Sequence, residues 1–282
     1  MNLLGIDIGG STTKPALVSA KGQISNYQET PTSQKLDQIL ADLKKIINTN
    51  DELAGIGICV PGLIDSQNGI IKQVVNIPSL DNFELTKLIT PFLPFNPFPP
   101  IFLLNDADAA LLGEHWIGAA KDYKNIVMLT LGTGVGGAAM LDGQLLPHPS
   151  SLEEEIGHWQ VDDDDKFKCN AGVAGSIEAK IGGHCVLQRY QMTLEEIADK
   201  TRAGDDMAKN HFTDLSYWFH AILEHADNKF HPDIFVIGGS GAESLDLFLD
   251  GVDPIKPVIK AKLGQKAGIV GVAKQIVNSF YN

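Results

Sequence analysis

One pattern of predicted elements occurs twice in the chain, about 125 residues apart, and it constrains the fold more than any other feature. An apolar segment over 3–8 is closed by Gly9-Gly10, and a second one over 125–131 is closed by a glycine-rich run over 132–137. Short apolar runs bounded by glycine are typical of buried strands. Further strands and a helical pattern follow each copy, so the sequence predicts a duplicated α/β architecture of two domains with a cleft between them.

Hydrophobic periodicity predicts the other elements of each half. In the first half we expect two strands joined at Lys21-Gly22, an amphipathic helix and a buried strand, over 14–20, 23–29, 36–47 and 53–60. In the second half we expect a strand over 138–141, a helix that begins at a capping box of Thr193 and Glu196, a helical stripe over 215–230 and a strand over 234–237.

Composition limits the classes of function. The chain has 282 residues, of which 44% are hydrophobic, and this excludes a disordered or fibrous protein. Its 35 acidic residues against 22 basic ones give a net charge of −13, which opposes a nucleic-acid partner. No run approaches the roughly 20 apolar residues of a membrane span, and three cysteines are too few for a disulfide framework. We therefore expect a cytoplasmic protein, with no membrane partner, that acts on a small molecule.

Two stretches interrupt the repeat. Residues 91–100 contain five of the 14 prolines, which argues against a helix or a central strand. We expect a packed apolar loop there, and it would suit a homodimer contact if it is exposed. Asp162–Asp165 are four consecutive acids, and such a run is either a solvated loop or a site for a hard cation.

Each of the two glycine turns lies between predicted strands. Such a turn is either a simple hairpin or a concavity whose backbone N–H groups bind an anion. The second turn is not a Walker A loop, because no Gly-Lys-Ser/Thr follows it, and a dinucleotide fingerprint needs a helix where we predict a strand. Two such turns at matching positions of a repeat favour a phosphate-binding segment on each side of the cleft.

Two polar clusters each allow two interpretations. Asn105-Asp106 ends one predicted strand and begins a helix, so these residues are either a helix cap or a general base at the mouth of the cleft. Glu153-Glu154-Glu155 precedes Ile156-Gly157-His158, and this run reads by itself as a solvated face beside a structural histidine.

Taken together, these motifs resemble the ROK family, which comprises repressors, open reading frames and sugar kinases. The resemblance covers nearly the whole chain and rests on the order and spacing of its motifs. They are Asp7-Ile8-Gly9-Gly10-Ser11, Pro61-Gly62, Asn105-Asp106, the turn at 132–137, Glu155-x-Gly157-His158, Gly238-Gly239 and the closing Ala267-Gly268-Ile269-Val270-Gly271.

The resemblance implies a fold, a reaction and a set of site residues. The implied fold is the actin-like, ribonuclease-H-like duplicated α/β architecture, with a small domain over 1–116 completed by a helix over 268–282, and a larger domain over 117–267. The implied reaction transfers the γ-phosphate of ATP to a sugar hydroxyl, with Asp106 as catalytic base and Asp7 facing Mg²⁺ through water. The residues implied to bind the sugar are Asn76, Asn105, Glu155, His158 and Glu178. Those implied to bind the nucleotide are Asp7, Gly9, Gly10, Ser11, Thr12, Lys14, Gly132, Thr133, Gly134, Gly238 and Gly239.

The match fails at the zinc site that family members commonly carry. Its ligands come from the histidine of Glu-x-Gly-His and from three cysteines of a Cys-x-Cys-Gly-x-x-Gly-Cys-x-Glu run. Here Cys169 keeps its sulfur, but Ala171 and Ser176 stand at the other two cysteine positions. With His158 that leaves two ligands for a four-coordinate site, so we predict no zinc.

Two other branches of the family are also relevant. Repressors carry a DNA-reading domain before the first glycine turn, and we expect none here because that turn begins at Asp7. The first turn and the segment 254–272 also resemble polyphosphate-dependent glucokinases. Polyphosphate would need a basic surface track, which 22 basic residues at a net charge of −13 do not favour, so we expect ATP as donor.

The sequence therefore predicts a sugar kinase that uses ATP and Mg²⁺, with the glucose 6-hydroxyl as the first choice of acceptor. One alternative is a kinase for another sugar, such as N-acetylmannosamine or fructose, because specificity depends on loop contacts to individual hydroxyls. Another is a sugar-binding protein of the same fold without catalysis.

Overall fold

The computed structural model describes residues 2–50, 52–94 and 97–280, apart from the side chain of Phe92. These residues form two compact units. The first unit comprises residues up to Lys121, Pro147–Ser150 and residues from Gln265 onward; the second comprises Asp122–Leu146 and Ser151–Gly264. In the described ranges no helix is long and apolar enough to cross a bilayer.

The chain begins with most of the elements of the first unit. They are β1 (Asn2–Ile8), β2 (Thr12–Ser19), β3 (Ile24–Ser25), β4 (Thr30–Pro31), α1 (Leu36–Asn48), β5 (Leu53–Val60), β6 (Leu63–Asp65), β7 (Ile70–Gln73), β8 (Phe83–Glu84), α2 (Leu85–Ile89), β9 (Ile101–Asn105) and α3 (Asp106–Ile117). The elements of the second unit follow. They are β10 (Ile126–Leu131), β11 (Val135–Leu141), β12 (Gln144–Leu145), α4 (Ile177–Ile181), α5 (Gly183–Tyr190), α6 (Leu194–Arg202), α7 (Asp206–Phe230), β13 (Ile234–Gly238), α8 (Leu245–Phe248) and β14 (Val258–Lys260). The last helix, α9 (Ala267–Ser279), belongs to the first unit.

The main sheets of the two units share one topology. In the first unit the order is β3-β2-β1-β5-β9, with β4 beside β2, and in the second it is β12-β11-β10-β13-β14. In both sheets an antiparallel hairpin, β1–β2 or β10–β11, is followed by strands that run parallel to its first member. A small antiparallel sheet, β6-β7-β8, completes the first unit. The carboxyl ends of the parallel strands in each sheet therefore lie along one edge, where α/β proteins commonly bind ligands.

Apolar periodicity explains how the first unit buries its sheet. Ile39, Leu43 and Ile47 recur every four residues on α1 and are buried in the same core as the buried side chains of β1 and β5. On α9, Ile269 and Ile276 are fully buried in a second cluster, and Gly271 allows α9 to approach Ala109 of α3 closely. Helices α3 and α9 therefore form a closely packed pair.

The core of the second unit combines aliphatic side chains with several buried aromatic rings. The rings of Phe219 on α7 and Phe248 on α8 are stacked with centroids 4.6 Å apart, and Phe235 on β13 is buried in the same cluster. The capping box predicted for α6 is present: Thr193 N–H donates to Oε2 of Glu196 at 2.8 Å, and Glu196 N–H donates to Oγ1 of Thr193 at 3.1 Å. The local signal at this helix start is thus confirmed.

Two predicted boundaries are wrong. The strand expected over 23–29 is reduced to Ile24–Ser25, because Asn26 has a φ of 52°, which extended backbone does not allow. The second glycine turn is shorter than 132–137, because β11 begins at Val135 and Gly136 and Gly137 pair with β10.

The proline-rich loop lies partly outside the described residues, since Phe95 and Asn96 are not among them. Before them the chain forms a short 3₁₀ turn over Thr90–Phe92. Leu93 is buried, whereas the side chain of Phe98 is 57% exposed. The homodimer contact at this loop stays a prediction.

Candidate active site

The first glycine turn joins β1 to β2. Gly9 N–H donates to the carbonyl oxygen of Thr12 at 2.9 Å and closes the turn. Gly10 lies against Asn76, since a Cβ at Gly10 would come 3.0 Å from the Cβ of Asn76, and the Gly10 carbonyl accepts from Nε2 of Gln34 at 3.1 Å. Ser11 is exposed. The structure therefore brings two predicted positions, Gly10 and Asn76, together.

Asp7 lies at the carboxyl end of β1, beside this turn. Its strand partner Lys14 places Nζ 3.9 Å from Oδ2 of Asp7. Burial raises the pKa of Asp7, while the charge of Lys14 and a hydrogen bond with the Cys59 thiol oppose that rise. A carboxylate next to a predicted phosphate-binding turn fits a hard cation, because Mg²⁺ prefers carboxylate and phosphate oxygens and keeps several waters.

Asn105 and Asp106 mark the junction between β9 and α3. Asn105 is the N-cap: its Oδ1 accepts from the N–H groups of Ala107 at 2.8 Å and Asp108 at 3.3 Å. Its Nδ2 donates to the carbonyl of Gly62 at 3.0 Å, so the side chain is fixed at both ends. The cap interpretation is confirmed for Asn105, and its sugar contact stays a prediction, since Nδ2 has a second hydrogen to donate.

Asp106 is the first residue of α3 and is only partly buried. It lies at the same edge of the sheet as Asp7. Cys59, on the intervening strand β5, interacts electrostatically with both carboxylates. Burial raises the pKa of the Cys59 thiol well above its usual value, and the charges of Asp7 and Asp106 raise it further. The first unit thus holds the two predicted acids of phosphoryl transfer on either side of one buried thiol.

Two residues of this unit have no signal in the local sequence pattern. His148 belongs to the first unit although the residues on either side of Pro147–Ser150 belong to the second. Its Nδ1 lies 2.9 Å from Oδ2 of Asp108 on α3, and both side chains are 5% exposed. This pair holds α3 at a position two residues after Asp106. Neither His148 nor Asp108 belongs to a periodic pattern or a motif that would have indicated their contact.

The second glycine turn connects β10 to β11 in the other unit. Gly132 N–H donates to the Gly134 carbonyl at 3.0 Å. The carbonyls of Gly132 and Thr133 accept from the N–H groups of Gly183 and His184, the first residues of α5, at 2.9 and 2.8 Å. These bonds fix the turn on the start of a helix.

Gly238 and Gly239 lie at the end of β13, parallel to β10 and at the same edge as this turn. Gly239 has a φ of 78°, and a Cβ there would overlap the carbonyl of Leu131, the residue before Gly132. The structure therefore brings the two predicted nucleotide segments of the second unit side by side.

Glu178 connects α4 with the second glycine turn. Its Oε2 accepts from Val135 N–H at 3.0 Å, and a Cβ at Gly134 would overlap the same oxygen. Glu178 is the second residue of α4, whose N-cap is Ser176, and Oγ of Ser176 accepts from Ala179 N–H at 3.2 Å. A predicted sugar ligand and a predicted phosphate turn are thus in direct contact.

His158 and Glu155 form the other part of the predicted sugar site. The Nδ1 of His158 lies 3.1 Å from Oε2 of Glu155 and 3.0 Å from the carbonyl oxygen of Leu152. Burial by itself lowers the pKa of His158, but hydrogen bonds to Cys169 and Glu155, with the charges of Glu155 and Glu178, raise it to about 10. The imidazole is therefore held in its charged form, as a donor to carboxylates on the same side of the unit.

The zinc position can be tested against these side chains. His158, Cys169 and Glu178 bring one possible ligand atom each within 4.8 Å of one another, so Glu178 adds a third donor to the two expected. Ser176, at a position where the family pattern has a cysteine, uses its hydroxyl for the cap of α4 and for a 3.3 Å hydrogen bond to the Val173 carbonyl. Three donors fit a site that keeps one open position better than a closed structural site. The expectation of no zinc stays a prediction.

The paired sheet topology and the three glycine segments, Gly9-Gly10, Gly132–Gly134 and Gly238-Gly239, define a protein of the duplicated, actin-like ATPase fold, as expected. The family model named ROK family matches residues 3–278, and the chain belongs to this family. A curated glucokinase of Thermotoga maritima is 30% identical, covering 98% of this chain and 97% of that protein. A glucokinase of Halalkalibacterium halodurans is 29% identical over 98% and 96%.

A solved structure supports the same relationship. The ROK family glucokinase of Streptomyces griseus, in complex with glucose and AMPPNP, superposes with a TM-score of 0.81 and is 25% identical. The alignment covers 98% of this chain and 99% of that one.

Proposed function

We propose that this protein is a hexose kinase that transfers the γ-phosphate of ATP, as its Mg²⁺ complex, to the 6-hydroxyl of glucose. The glucokinases among its relatives support the reaction and the substrate class. The observation that carries the proposal is the position of Asp106, which is partly exposed at the carboxyl edge of its sheet and interacts electrostatically with the Cys59 thiol that is hydrogen-bonded to Asp7.

Asp106 acts as the general base in this proposal. It takes the proton of the attacking hydroxyl while that oxygen bonds to the γ-phosphorus, and the bond from phosphorus to the bridging oxygen breaks to release ADP. The divalent cation neutralises charge on the phosphates when bound, and Asp7 would hold it through water. Lys14, fixed beside Asp7, adds a positive charge near the first glycine turn.

In this proposal the sugar is bound by the residues that the family resemblance assigns to it. Glu155 and Glu178 accept hydrogen bonds from hydroxyls, and charged His158 donates one. Asn76 and Asn105 complete the predicted set. Because Glu178 contacts the second glycine turn, sugar binding and phosphate binding are connected through one carboxylate.

The test is a panel of sugars with ATP and Mg²⁺, read by ADP formation and by the position of the new phosphate. We expect glucose to give the highest kcat/KM, with phosphate on the 6-hydroxyl. A higher value for N-acetylmannosamine or fructose would identify another sugar kinase. Binding of sugar without ADP formation, measured by calorimetry, would identify a non-catalytic protein.

A second assay, with polyphosphate in place of ATP, tests the phosphoryl donor, and we expect ATP to be preferred. We also expect the enzyme in the cytoplasm, where ATP is available.

A further inference from the structure

A buried lysine contacts the acidic run Asp162–Asp165, for which the sequence allowed either a solvated loop or a cation site. The side chain of Lys180 on α4 is 5% exposed, and its Nζ lies 2.6 Å from Oδ2 of Asp162 and 2.7 Å from Oδ2 of Asp165. Nη2 of Arg189 on α5 lies 2.7 Å from the same Asp165 oxygen. Buried lysines are rare unless they are paired. Two of the four acids are therefore neither free in solvent nor arranged around a metal ion, because their counter-ion is a side chain of this protein.

This ion cluster of Asp162, Asp165, Lys180 and Arg189, called here the Lys180 cluster, closes a loop. Residues 160 and 176 pair in an isolated bridge, so the loop begins and ends at the same place. Gly175, with a φ of 58°, passes so close to Asp162 that a Cβ would overlap the Asp162 carbonyl oxygen. The loop contains Cys169, and it connects His158 to α4.

The same loop corresponds to the run in which family members commonly carry zinc ligands, although the sequence predicts no zinc for this chain. Ala171 and Ser176 carry no thiol, so these two positions supply no thiolate through which a metal ion could connect the loop to α4. Arg189 lies over the ring of Phe167, with 4.7 Å to the centroid, and Lys180 lies 4.2 Å from the ring centroid of Trp218 on α7. The cluster thus joins the loop to α4, α5 and α7.

Helix α4 is only five residues long and carries two side chains with different partners. Glu178 and Lys180 are two residues apart, so they point about 200° from each other around the helix axis. Glu178 contacts the second glycine turn on one side, and Lys180 contacts the acidic loop on the other. Because α4 is so short, its position depends both on the contact of Glu178 with the glycine turn and on the contact of Lys180 with the acidic loop.

We propose that Lys180, held by Asp162 and Asp165, is a positioning residue for sugar binding: it sets the place of Glu178 relative to the second glycine turn. This inference rests on the proposed function only for the identity of the ligand. It predicts that Lys180 affects sugar affinity through Glu178, and that it also affects the Glu178 bond to Val135 when no sugar is present.

The test combines two variants with a matched control. Lys180→Met removes the ammonium and keeps most of the stem. The triple variant Asp162→Asn, Asp165→Asn, Lys180→Met removes all three charges, so it avoids unpaired buried carboxylates if the single variant fails to fold. Lys209→Met removes an exposed lysine of α7 that is paired with Asp206 at 3.3 Å in the same unit.

The first measurement is glucose binding by calorimetry in a double-mutant cycle with Glu178→Gln. We expect Lys180→Met to raise the Kd for glucose at least about tenfold when Glu178 is present, since small misplacements of binding groups are costly, and by less than about threefold when it is replaced. Lys209→Met leaves the Kd unchanged. An equal effect of Lys180→Met in both backgrounds, or no effect, overturns the inference.

The second measurement needs no sugar. The exchange rate of the Val135 amide, which donates to Glu178, is compared with amides of β13 by hydrogen–deuterium exchange. We expect Lys180→Met and the triple variant to speed Val135 exchange at least about tenfold relative to those amides. Unchanged Val135 protection overturns the inference. If the wild-type protein binds no glucose, the proposed function fails, and the Val135 exchange still decides the role of Lys180.

Discussion

The Oε2 of Glu178 accepts a hydrogen bond of 3.0 Å from the backbone N–H of Val135. This bond crosses from α4, at the predicted sugar site, to the first residue of β11, directly after the predicted phosphate turn. The two predicted binding functions of the second unit therefore meet at one carboxylate, and we expect a change that moves this carboxylate to affect both.

Replacing Gly134 by alanine moves this carboxylate. The added Cβ overlaps Oε2 of Glu178, so we expect the bond to Val135 to break, the KM for sugar to rise, and the free energy of unfolding to fall by about 1–2 kcal/mol. Gly132→Ala in the same turn meets nothing within 4 Å, and its free energy of unfolding should change by less than about 0.5 kcal/mol. Urea unfolding of both variants measures this, and equal stability of the two contradicts the geometry.

Asp106→Asn removes the proposed base and keeps the shape of the side chain. We expect kcat to fall by about 10²–10⁴-fold while calorimetry still detects sugar binding, because general-base catalysis contributes a factor of that size. Asp37→Asn is the matched control, since Asp37 is an exposed acid in the first turn of α1. A kcat for Asp106→Asn within tenfold of the wild type would remove Asp106 as the base.

The raised pKa of His158 predicts a pH dependence of stability. Its value of about 10 in the folded protein lies above 6.5, the value expected when unfolded, so protonation stabilises the fold. This contribution is fully present below pH 6.5 and is lost as the pH rises towards 10. We expect His158→Gln to flatten the fall in unfolding free energy over that range, measured with urea at several pH values. The exposed His231, changed to Asn, should leave the slope as it is, and an unchanged slope for His158→Gln would contradict the charged state.

Zinc content tests the interpretation of the degenerate loop. We expect the purified protein to contain far less than one zinc per chain, because Ala171 and Ser176 supply no thiolate. Elemental analysis measures this directly. One zinc per chain, lost on Cys169→Ala, would instead assign His158, Cys169 and Glu178 as ligands, with the fourth position open.

Helices α3 and α9 of the first unit are in close contact at Gly271 and Ala109. A Cβ at Gly271 would overlap the carbonyl of Ala109, and neither backbone can move without separating the helices. We expect Gly271→Ala to lower the free energy of unfolding by about 1–3 kcal/mol. The control is Asn278→Ala on the same helix, where the side chain is only partly buried, and it should cost less. Thermal unfolding of both variants distinguishes them.

Local patterns in the sequence determined much of this protein. The apolar run of β5, the periodicity of α1, the cap at Asn105 and the capping box at Thr193 each involve residues within a few positions of each other, and the structure has all four. The repeat of strand and glycine turn was visible for the same reason, and it led to the correct fold class. The predicted end of β3 was wrong, because Asn26 adopts a left-handed conformation and stops the strand at Ser25.

Only the tertiary structure decided which distant side chains meet. Nothing near Cys59 indicates that its thiol lies by Asp7, and nothing in Asp162–Asp165 indicates that Lys180 neutralises two of them. The same is true of His148 and Asp108, which are 40 positions apart. These contacts depend on strand register and on helix packing, which arise when the whole chain buries its apolar surface, whereas a sequence motif records only the residues that one short segment requires.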